Sequence, residues 1–101
     1  MTEPMKSDPR KAATPEALEA EMLRLVAERG PGKTICPSEV ARAIGGPHPD
    51  GWGPLMQPIR RTAVRLTKEG RVRILRKGRP VDPDDFRGVY RIGPPGDAGG
   101  D

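Results

Sequence analysis

The first periodic stretch of the chain is TPEALEAEMLRLVAERG, where Leu18, Met22, Leu25 and Val26 recur at i, i+4, i+7 and i+8. This spacing predicts a helix over 14–29 with one apolar stripe. Thr14 is placed to cap the first amides, Pro15 suits a first turn, Glu16 and Glu19 favour the positive helix end, and Gly30 follows the last turn. After the PGK turn, Thr34-Ile35-Cys36 is long enough only for a minimal strand. It leads into PSEVARAIG, where Pro37 opens a short helix over 37–44. Cys36 or Ser38 stands at its cap, with Glu39 in the capping-box place. Val40, Ala41 and Ile44 form the buried side of that helix.

GPHPDGWGP reads as a loop. Beyond it Leu55, Ile59, Ala63 and Leu66 return to a helical period, giving a third helix over 54–69 that ends at Gly70. Pro58 should leave its opening turn kinked or 3₁₀. From Arg71 the period falls to two. Arg71, Val72, Arg73, Ile74 and Arg76 alternate basic and apolar up to the turn Lys77-Gly78-Arg79-Pro80, and a returning strand is expected over 88–92. Two strands alone are marginal, so the ribbon must fold back on the helices. The expected fold is α+β and mostly α, a winged helix-turn-helix of three helices and a two- or three-stranded β wing. It should occupy residues 14–92, between disordered tails at 1–13 and 93–101 that contain no apolar period.

Charge then gives the fold a direction. Residues 60–80 carry nine Arg or Lys against one acid, Glu69, hence +8 within a chain of +4. With the apolar stripe turned inward, Gln57, Arg61, Arg65 and Lys68 share the outward side of the third helix, and Arg60 lies on its flank, reaching a phosphate or covering the core. Arg76, Lys77 and Arg79 gather at the wing tip. The stripe is expected to be free of acidic partners, and charge of one sign this dense is tolerable where a polyanion offsets it. These eight residues are the candidate nucleic-acid contacts. Lys33, Thr34 and Ser38, at the start of the second helix, are further possible phosphate ligands.

Other chemistry is poorly supplied. The chain has 101 residues with Phe86, Trp52 and Tyr90 as its only aromatics, so one thin aliphatic core is expected, with Trp52 plugging it rather than stacking on a base. Cys36 and His48 are single residues of their type, too few for a closed zinc site or an internal disulfide. Asp82, Asp84 and Asp85 lack calcium-loop spacing and read as a solvated turn. No nucleophile elbow or phosphate loop appears, so neither an enzyme nor a cofactor is expected. No signal peptide or membrane helix is read, which suggests a cytoplasmic protein.

The run ICPSEVARAIG, GW, LM, IRRTAVRL, EGRV, KGRPVDP and FRGVYRI, from Leu18 to Ile92, resembles a bacterial family of small winged-helix proteins catalogued as a domain of unknown function. The resemblance implies the fold and assigns no activity. The leading expectation is a module binding duplex DNA, with transcriptional regulation as its role and a homodimer as one option. The alternatives are a protein–protein interaction scaffold and RNA or ribosome binding.

Overall fold

The computed structural model describes residues 13–95. The expected tails therefore lie outside the described residues, except for Ala13 and Gly93–Pro95. Helix α1 spans Pro15–Arg29 and is capped as its sequence suggests, the Ala17 amide donating to Thr14 Oγ1 at 3.1 Å. Leu18, Met22 and Val26 are buried, and Leu25 is half-buried against them. Helix α2 spans Pro37–Gly45, one residue longer than expected. Its cap is Cys36, whose amide donates to the Glu39 carboxylate at 2.8 Å.

The segment expected to be loop is partly helical. A single turn, α3 (Pro49–Trp52), runs into a 3₁₀ turn over Gly53–Leu55 and then into α4 (Met56–Lys68). Local and tertiary contacts combine to fold it. His48 Nδ1 accepts from the Asp50 amide at 3.1 Å, and the His48 carbonyl accepts from the Gly51 amide at 2.8 Å. The end of α2 also lies directly on α3: a Cβ built on Gly51 would sit 2.2 Å from the Gly45 carbonyl oxygen, so glycine is required there. Pro58 falls in the first turn of α4, where its missing N–H is no loss, and the 3₁₀ turn precedes it. Trp52 is only half-buried, with the Arg42 guanidinium 5.0 Å from its ring centroid.

Strand β1 (Arg73–Arg76) is the middle of a three-stranded antiparallel sheet, between β2 (Arg79–Pro80) and β3 (Arg91–Gly93). Both long strands are shorter than the expected 71–76 and 88–92, and Gly93, expected to belong to a tail, is in β3. The returning chain enters the sheet late because Gly88 turns at φ +81° and Tyr90 packs edge-on against Phe86. Ile35 forms the minimal strand as a lone bridge to Ile92, with amide–carbonyl bonds of 2.8 and 2.9 Å. The order helix, bridge, helix, helix, strand, hairpin and loop, strand is that of a winged-helix-like α+β fold. Ile35, Ile59, Leu66, Ile74 and Ile92 are fully buried where the layers meet. Among the described residues no helix is long and apolar enough to cross a membrane.

Candidate nucleic-acid interface

Helix α4 presents the outward face that its period implies. Gln57, Arg61, Arg65 and Lys68 are exposed, while Ile59, Thr62, Ala63 and Leu66 are buried. The charges on that face are not equivalent. Arg65 donates to Glu19 of α1 at 2.7 Å and to Glu69 at 3.1 Å. Arg71 holds the other Glu19 oxygen at 2.7 Å, and Lys68 pairs with Asp84 at 2.7 Å. The expectation of a stripe free of acids is therefore corrected for its C-terminal half. Glu69 stands four residues after Arg65 and belongs to the pattern that the sequence already displays. Glu19 and Asp84 arrive from distant segments.

The Arg65 and Arg71 hydrogen bonds lower the Glu19 pKa below its ordinary 4.5. Glu39 is also lowered: burial pulls it up, but the Cys36 amide and Arg29 outweigh that. A carboxylate whose folded pKa is depressed stabilises the fold above its unfolded value and loses that contribution as pH falls through the folded one. Glu19→Gln should therefore flatten part of the decline in melting temperature between neutral pH and about pH 3, leaving the share due to Glu39. An unchanged acid limb would show that the Glu19 cluster adds nothing to stability.

Arg60 turns inward. Its guanidinium lies 3.9 Å from the Phe86 centroid and 5.9 Å from that of Tyr90, and it donates to the Phe86 carbonyl at 2.6 Å. Of its two expected roles, it takes the one that covers the core. The Tyr90 hydroxyl is buried without a partner among the described residues, and burial pushes its pKa up to about 12.

At the wing, the two-residue turn Lys77-Gly78 has positive φ at both positions, 53° and 80°. Lys77 thus occupies a left-handed conformation that favours Asn or Gly. Arg76 is half-buried, and its Nε donates to the Val89 carbonyl at 3.0 Å, drawing the 82–90 loop against the hairpin. That contact brings exposed Arg87 into the loop beside the hairpin, a residue the sequence reading passed over because it lies in no periodic element. Among the described residues Arg61, Lys77, Arg79 and Arg87 make no salt bridge or side-chain hydrogen bond. They are the cations of α4 and the wing with no side-chain partner of any kind, whereas Arg60, Arg73, Arg76 and Arg91, also free of acids, bond to carbonyl or hydroxyl oxygens.

Of the second-helix candidates, Thr34 and Ser38 are engaged within the fold, while Lys33 is exposed. Thr34 accepts from Arg91 at 2.9 Å through its hydroxyl, and Ser38 Oγ lies 3.1 Å from Cys36 Sγ. Asp82 closes its own turn, accepting from the Asp84 amide at 2.9 Å. No group of three His, Cys, Asp or Glu among the described residues is placed to hold a metal.

The model of a family described as a protein of unknown function, DUF3253, matches residues 15–95, and the chain belongs to that family. No curated protein matches it.

Proposed function

We propose that this DUF3253 protein is a duplex-DNA-binding module that meets its target with the N-terminal half of α4 and with the wing. The observation that carries the reading is the sorting of charge. Arg65, Lys68 and Arg71 are paired with acids, whereas Arg61, Lys77, Arg79 and Arg87 stand open on the two elements that a winged helix presents to a groove. Gln57 and Arg61 suit base edges, since Arg pairs with guanine and Gln with adenine in the major groove. Lys77, Arg79 and Arg87 suit phosphates. The backbone conformation of Lys77 adds support, because a Lys stands in a left-handed position where Asn or Gly would be easier. A role in transcriptional regulation, the absence of catalysis and a cytoplasmic setting belong to the same proposal.

The test is a titration against duplex DNA at several salt concentrations. The three cations assigned to phosphates predict a slope of log K against log salt of about −2 to −3. Lys77→Asn should ease the turn while reducing that slope by about one. A slope near zero would transfer the open cations to an acidic protein partner. Tighter binding to a structured RNA would assign them to that polyanion.

A further inference from the structure

We infer that a cavity between the C-terminal half of α1 and the root of β1 binds a small amphipathic organic anion, an aliphatic body ending in a carboxylate. The cavity measures about 580 Å³. That lies inside the roughly 300–1,000 Å³ typical of small-molecule sites. Leu23, Val26 and Ala27 of α1 and Pro94 supply apolar walls, and Arg71 and Arg73, at the root of β1, complete the lining. No acid lines it.

The two arginines determine the charge of the ligand. Arg73, half-buried, commits Nε to the Pro94 carbonyl at 3.0 Å, and its two Nη atoms have no protein partner among the described residues. Arg71 commits Nη1 to Glu19, with Glu69 3.6 Å from the same nitrogen, so its charge is largely matched, but Nε and Nη2 remain without a partner among the same residues and add donors beside Arg73. Two forks of donors beside an apolar wall match a carboxylate whose chain continues away from them. The other end of the cavity is the carbonyl terminus of α1, which repels an anion. That polarity places the head against β1 and the chain along Leu23, Val26 and Pro94. None of the cations assigned to nucleic acid lines this cavity, so the inference stands apart from that reading.

Sodium decanoate, added below its micelle concentration to the ¹⁵N-labelled full chain, is the probe. Decanol and decyltrimethylammonium are the comparison ligands. Decanoate should shift the Gly30 and Gly32 amides saturably and bind at least about tenfold more tightly than decanol. Arg73→Gln should reduce decanoate to the level of decanol. Ala27→Phe, at an exposed position that lines the cavity, should fill it and abolish both responses. If Arg73→Gln does not fold, Ala27→Phe and the head-group comparison decide between the outcomes. Decyltrimethylammonium binding as tightly as decanoate would overturn the inference. So would decanoate shifts that are absent, or that survive Ala27→Phe. DNA binding by the Ala27→Phe variant should be unchanged, so a failure of this site and a failure of the nucleic-acid reading are told apart.

Discussion

Replacing Arg61 by Ala should weaken binding to a preferred duplex by about 1–3 kcal/mol, roughly five- to 150-fold, and leave the melting temperature where it was. Arg61 is exposed on α4 and makes no hydrogen bond or ion pair among the described residues, so its removal breaks nothing inside the fold. Arg65→Ala should do the reverse. Its guanidinium joins Glu19 and Glu69, so its loss should lower the melting temperature, with only a small change in affinity. The pair of variants, read by calorimetry and by titration on a selected site, distinguishes a contact residue from a brace one turn along the same helix. Equal losses of affinity in both would mean that DNA breaks the Glu19 cluster on binding. No loss in either would remove α4 from the interface.

Ile92→Ala should cost about 2–5 kcal/mol of stability. Against a total of about 5–15 kcal/mol for a domain, that is enough to unfold much of the population. Ile92 is wholly buried, opposite Ile74 in the sheet and bonded through its backbone to Ile35, so the cavity left by truncation has little freedom to collapse. Val89→Ala, at a residue 80% exposed, is the matched control and should change stability very little. Urea unfolding should show a lower midpoint for Ile92→Ala at an unchanged slope. A midpoint equal to that of the control would mean that the edge formed by Ile35 and β3 is not part of the cooperative unit.

The parts of this fold that were legible in the sequence are those governed by neighbours along the chain. Thr14 capping α1 and Glu39 reaching back to Cys36 need only three residues of context, and both form as expected. The inward faces of α1 and α4 follow from their period. Glu69 beside Arg65 was equally local and could have been read. What could not be read was set by contacts across the fold. Glu19 reaches Arg65 and Arg71 from another helix, and Arg60 is turned by aromatics 26 and more residues away. The turn of α3 depends on the carbonyl of Gly45 meeting a residue without a side chain, in a segment whose Pro and Gly content favours loop. The division of one basic face into braced and open halves is therefore tertiary information.

The bridge from Ile35 to Ile92 also bears on how the protein comes to be folded as it is made. Arg91 binds Thr34 across 57 residues, beside that bridge, so the segment joining α1 to α2 gains its sheet partner only once β3 has been made. Nascent chains emerge at about 5–20 residues per second, and long-range pairing waits on its last partner. Until then Ile35 lacks its partner and the core it shares with Ile92 is incomplete, with the basic run of residues 60–80 already translated. During that interval an unfinished chain is most open to chaperones and to nearby polyanions.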